Sequence, residues 1–151
     1  MIIVSACLAG INCKYSGKSN TCSDIVKLVS MGEAIPVCPE QLGGLSTPRP
    51  AAEICGGTGA DVIGGRAFVK RVNGEDVTCE FIKGAEEVFR IAGLTGAKKA
   101  IMKAKSPSCG VGFIYDGTFE GRLIKGNGVT AEMLLRNGIE TLTEDQYLKS
   151  L

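Results

Sequence analysis

The sequence predicts an α/β fold: a mainly parallel sheet flanked by helices on both faces, with a β-hairpin inserted. Three observations carry that expectation. Short apolar, β-branched runs recur along the chain, and segments with helical spacing lie between them. Their alternation requires crossover connections, which favour parallel pairing. No internal repeat or second-domain linker interrupts the pattern. The 151 residues are therefore expected to form a single domain over 1–151. A chain of this size buries roughly 70% of the surface its unfolded form exposes.

Ile2–Ala6 is an apolar run suited to a buried strand, and a glycine-rich polar loop follows to Asn20. Asp24–Met31 places Ile25, Leu28 and Val29 on one helical face, with Ser23 as N-cap and Gly32 as the stop. Ala34–Val37 reads as a second buried strand, ended by Cys38-Pro39. Residues 41–65 are rich in Gly, Pro and Thr and read as one long loop, which in a compact domain points to function. Ala67–Val72 and Asp76–Cys79, joined by Asn73-Gly74, read as the hairpin. Phe81–Ala92 carries an apolar face of Ile82, Ala85, Val88 and Phe89 and reads as a helix. Lys99–Ala104 is a third sheet strand, followed by the turn Ser106-Pro107-Ser108-Cys109-Gly110 and a glycine-rich stretch to Gly128. Thr130–Arg136 is read as a helix and Ile139–Leu142 as a fourth strand. Thr143–Leu151 is a terminal helix opened by a Thr-x-x-Gln capping box.

Composition narrows the chemistry. The chain has seven cysteines and no histidine. It cannot supply a Ser–His–Asp triad, a Cys–His pair or a histidine-ligated zinc. With 17 basic and 16 acidic residues it carries no electrostatic footprint for duplex nucleic acid or an anionic membrane. No apolar run approaches the ~18 residues of a membrane span. The N-terminus, MIIVSACLAG, lacks a basic region and reads as a strand rather than a signal peptide. The expected compartment is the reducing cytoplasm, where structural disulfides are rare and an odd cysteine count is unremarkable.

Ligands of an open parallel sheet bind beyond the carboxyl ends of its strands. Cys7, Cys38 and Cys109 each fall just past the end of an expected parallel strand. Cys22, Cys55 and Cys79 read as buried or surface side chains, and Cys13 is left open. There is no C-x-x-C spacing, which argues against zinc ribbons and thioredoxin-like redox chemistry. An iron–sulfur cluster tolerates wide spacing, and a cubane on three thiolates leaves one iron open as a Lewis acid. Among weaker candidates, Arg49 offers a planar fork to a substrate carbonyl or phosphate, while Glu53 could orient Arg49 or cap a helix. Lys103 and Lys105 read first as surface residues.

The blocks SACLAGINCKYSGKSN, CPEQLGGLSTPRPAAEI and KAKSPSCGVGFIYDGTFEGRLIKGNGVTAEML resemble the domain-of-unknown-function family 523, and the likeness spans essentially the whole chain. That family includes the thiouracil desulfidases, which use a 4Fe-4S cluster held by three cysteines. The resemblance implies Cys7, Cys38 and Cys109 as cluster ligands, with one iron open. It implies catalytic roles for Glu40, two residues after the second ligand, and for Ser106, three before the third. Ser108, next to Cys109, is a candidate for bonding a substrate-derived sulfide.

The reaction expected is removal of sulfur, as sulfide, from a small thiolated heterocycle such as a thiouracil-like base or nucleoside. Glu40 would act as general base toward water, with Glu40 or Ser106 relaying a proton. Two other readings stand beside it: a cluster-bearing sulfur or redox carrier, and a metal-free binding module with structural cysteines.

Overall fold

A computed structural model describes residues 1–151. Its centre is a four-stranded sheet formed by β1 (Ile2–Ser5), β2 (Ala34–Val37), β5 (Lys99–Met102) and β8 (Glu140–Thr143). The strand order is β2-β1-β5-β8 and every pairing is parallel. Around it lie the helices α1 (Ser23–Ser30), α2 (Pro39–Leu42), α3 (Gly59–Ile63), α4 (Thr78–Thr95), α5 (Val129–Arg136) and α6 (Glu144–Lys149). Two antiparallel pairs complete the fold: β3 (Ala52–Cys55) with β4 (Phe68–Arg71), and β6 (Phe113–Tyr115) with β7 (Leu123–Lys125).

Central strands of a parallel sheet are buried on both faces, so they read as unbroken apolar runs. Alternate residues then serve opposite cores. Ile3, Ala100 and Met102 pack with Val88 and Ala92 of α4 and Leu134 of α5. Their neighbours Val4 and Ile101 pack with Ile25 of α1, with Tyr147 of α6 against them. A third cluster joins Ile54 and Val69 of the β3–β4 pair to Phe81 and Ala85 of α4. Pro36 lies within β2, opposite Val4. It is tolerated because β2 is an edge strand and needs no outward N–H.

The expected parallel sheet with helices on both faces is present, and so is the capping box of α6: Gln146 N–H donates to Thr143 Oγ1 while Thr143 N–H donates to Gln146 Oε1. The expected hairpin over 67–79 is not formed as drawn. The turn at Asn73-Gly74 exists, but β4 pairs with β3, and the return segment makes a single bridge, Asp76 to Lys70. Asp76 Oδ1 instead accepts the Thr78 N–H at 2.8 Å, which starts α4 at Thr78 and draws Cys79 into the helix. A side-chain acceptor of this kind competes directly with the ladder. The long loop expected over 41–65 contains α2's last residues, β3 and α3, and the glycine-rich 110–128 contains the β6–β7 pair. Cys22 rather than Ser23 occupies the N-cap of α1. No helix is long and apolar enough to cross a membrane.

One close crossing places the site. A Cβ on Gly84 of α4 would lie 2.0 Å from the carbonyl oxygen of Pro39, and one on Gly43 would lie 2.0 Å from that of Glu80. The short α2 therefore rests backbone to backbone on α4, and Cys38 and Glu40 are held by that contact. Gly84→Ala is expected to force the helices apart and destabilise the protein by about 1–3 kcal/mol. Gly93→Ala, on the exposed side of the same helix with nothing within 4 Å, should instead stabilise it by about 0.5–1 kcal/mol. Thermal unfolding of the two variants, followed by circular dichroism, should move the midpoint in opposite directions.

Candidate active site

The carboxyl ends of β2, β1 and β5 are neighbours, and each delivers one thiol. After β1 the chain turns through a 3-10 helix, Ala6–Ala9, which carries Cys7. Asn20 fastens this turn by donating its N–H to the Cys7 carbonyl at 3.0 Å and its amide to the Cys7 sulfur at 3.5 Å. Cys38 is the first residue beyond β2 and the N-cap of α2, with Pro39 at the first helical position. Cys109 sits in the tight turn after β5, where Ser106 Oγ accepts the N–H groups of Ser108 and Cys109, both at 3.1 Å.

These three sulfurs line one cavity of about 490 Å³, together with Cys13, Glu40, Arg49, Ser106 and Ser108. None is in a disulfide. Cys22, Cys55 and Cys79 do not line it. Burial raises the Cys7 thiol above its usual range, and raises that of Cys109 to about 12. Cys13 and Cys38 act as a pair. Hydrogen bonding between them holds the Cys13 thiol protonated and favours ionisation of Cys38, which the Gln41 backbone N–H and Arg49 also favour. As a neutral thiol, Cys38 contacts the Cys13 carbonyl at 3.8 Å.

A chain of polar contacts crosses the cavity floor. Arg49 Nε donates to Glu40 Oε1 at 2.9 Å, and Ser108 Oγ donates to Glu40 Oε2 at 3.0 Å. Ser106 Oγ lies 3.0 Å from Ser108 Oγ. Ser108 has one proton, and the carboxylate is the stronger acceptor. The Ser108 hydroxyl therefore serves Glu40 rather than the Cys109 sulfur at 3.5 Å, which leaves Ser106 as donor to Ser108.

Arg49 lines the cavity with only 3% of its side chain exposed. Its Nη1 donates to Ser46 O and Thr47 Oγ1, and its Nη2 to Cys13 O. The fork that its residue type offers to a substrate is thus engaged inside the protein, where it holds Glu40. Glu53 neither orients Arg49 nor caps a helix, because its Oε1 accepts two backbone N–H groups of the β6–β7 loop. Lys103 is drawn in from the surface. It pairs with Glu144 at 3.4 Å and lines the cavity. Cys13 and Asn20 are the site residues that strand-end reasoning does not select, since both lie in a loop with no periodicity.

Thiolates are the ligands of iron–sulfur clusters, in which each takes a separate iron. Three unpaired thiols around a shared hollow fit that demand. No group of three Cys, Asp or Glu side chains converges as the ligands of a single ion would.

The sequence matches the 2-thiouracil desulfurase family over residues 2–146. The chain belongs to that family. It is 48% identical over 146 residues to the uncharacterized protein YbbK of Bacillus subtilis (strain 168), covering 97% of each chain. Among solved structures it resembles the 4Fe-4S-dependent thiouracil desulfidase TudS, with a TM-score of 0.85 and 41% identity, covering 98% of this chain and 93% of that one. A likeness of this extent covers the parallel sheet and its helices.

The Arg49–Glu40 pair is mostly buried, so losing one partner strands the other. Arg49→Met is expected to destabilise the protein by about 3–5 kcal/mol, while Arg49→Met with Glu40→Leu should recover much of that loss. Denaturant midpoints of the single and double variants measure the coupling.

Proposed function

We propose that this protein, acting through residues 1–151 as a single domain, removes sulfur as sulfide from a small thiolated pyrimidine in the reducing cytoplasm. In this reading a 4Fe-4S cluster is held by Cys7, Cys38 and Cys109. The observation that carries the reading is the meeting of three unpaired thiols with the Ser106–Ser108–Glu40 chain in one cavity beyond adjacent strand ends. The family and the likeness to TudS support it.

When bound, such a cluster supplies an iron without a protein thiolate, a Lewis acid for the thiocarbonyl sulfur. The chain's own residues supply the proton chemistry. Net conversion exchanges C=S for C=O with water as co-reactant and hydrosulfide as leaving group, and no electron is transferred. Glu40 is held by Arg49 and lies beside the third thiol through Ser108. It accepts a proton from the attacking water. Ser108 and Ser106 carry a proton back toward the leaving sulfur, since hydroxyls both donate and accept. Arg49 fixes the carboxylate. Ser108, between Glu40 and Cys109, is the hydroxyl placed to meet sulfur.

Anaerobic reconstitution followed by assay of sulfide release from 4-thiouracil tests the activity. Release in step with substrate loss, over many turnovers, is expected of an enzyme and not of a sulfur carrier. Cys7→Ala, Cys38→Ala and Cys109→Ala should each lose the visible absorbance and bound iron, while Cys79→Ala retains both; equal retention in all four removes the ligand assignment. Glu40→Gln should retain the cluster and lower turnover by about 10²–10⁴-fold.

A further inference from the structure

β3 sends Ile54 into the core and Glu53 to the opposite face, where the carboxylate is buried in the cavity wall. Glu53 Oε1 accepts the N–H of Gly117 at 2.9 Å and of Phe119 at 3.1 Å. Both donors belong to the tight loop between β6 and β7, which bends through positive φ at each of them, +94° and +59°. A Cβ on Gly117 would lie 2.6 Å from the Ile54 carbonyl oxygen, so the loop sits directly on β3. One carboxylate oxygen thus fastens the loop.

The other oxygen, Oε2, has no hydrogen bond and no ion pair in the protein. It is not sealed off either, since the one buried side-chain polar atom lacking a partner is Thr130 Oγ1. Glu40, the cavity's other carboxylate, has both oxygens engaged. Glu53 Oε2 is therefore the open carboxylate acceptor of this cavity. Desolvating a carboxylate without a partner is unfavourable, and a ligand N–H relieves it.

A thiouracil presents such a donor. Its N3–H adjoins the thiocarbonyl carbon whether sulfur is at C2 or C4, and it is the ring N–H shared by free base and nucleoside. We propose that Glu53 determines specificity by accepting the N3–H of a uracil-type ring on Oε2. This rests on the desulfidase reading for the identity of the substrate, and it assigns Glu53 no proton transfer. A cytosine-type ring presents a lone pair at N3, which the carboxylate repels. An N3-methyl group blocks the contact altogether.

The test compares wild type with Glu53→Gln. The amide carbonyl can keep accepting from Gly117 and Phe119, which turns the NH₂ toward the cavity and favours an acceptor at N3. Wild type should prefer 2-thiouracil over 2-thiocytosine by about 10- to 100-fold in kcat/KM, and Glu53→Gln should shrink or invert that ratio. A merely structural role would scale both substrates together and leave the ratio unchanged, which overturns the proposal.

Calorimetric binding of uracil and 3-methyluracil to the reconstituted wild-type protein needs neither turnover nor a variant. Uracil should bind at least about 10-fold more tightly. Equal affinity, or no uracil binding, overturns the assignment. Absence of sulfide release with intact discrimination between uracil and 3-methyluracil would sink the desulfidase reading and leave Glu53 as a uracil-ring reader.

Discussion

A single carboxylate gripped from two sides organises this molecule's working end. Glu40 lies two residues past Cys38, and Ser108 lies one residue before Cys109, so the bond between them ties the ends of β2 and β5 across β1. Arg49 supplies the compensating charge from the loop leading into β3. An anion in so enclosed a place is tolerable only with this pairing, since an isolated buried charge carries a penalty of several kcal/mol. The same contact holds two proposed ligand turns at a set separation and fixes the carboxylate beside them. Structure and chemistry therefore share one interaction.

The rest of the fold brings that interaction about. The two glycines at the α2–α4 crossing let backbone meet backbone, which lowers Glu40 onto the cavity floor. β3 and the β6–β7 loop then build one wall of the cavity, joined by Glu53. Thiols and the Glu53 carboxylate give the cavity lining two chemically distinct kinds of group.

The sheet strands were legible in the sequence because a strand buried on both faces leaves an apolar run, as residues 2–4 and 100–102 do. Their breakers, such as Pro39 after Cys38, are equally local. That is why Cys7, Cys38 and Cys109 group from the sequence alone, although their proposed role as ligands rests on the family resemblance. The pairing of β4 with β3 was not legible, because Asn73-Gly74 is a strong hairpin signal and the competing Asp76 cap depends on where α4 begins. Cys13 and Asn20 lie in a loop whose path is set by contacts to the Cys7 turn, and such contacts leave no period in the chain. Arg49 reads as a substrate fork by residue type alone; only its four partners reveal an internal strut.

The strand order also separates the three cavity thiols widely along the chain. Neighbours in the sheet come from distant parts of the chain, with β1 lying between β2 and the much later β5. Closing such long loops precedes any reward from the contacts they bring. A nascent polypeptide halted before β5 carries Cys7 and Cys38 but lacks Cys109 and the turn that holds it. On the proposed ligand set, the three thiols share one hollow only after β5 has joined β1.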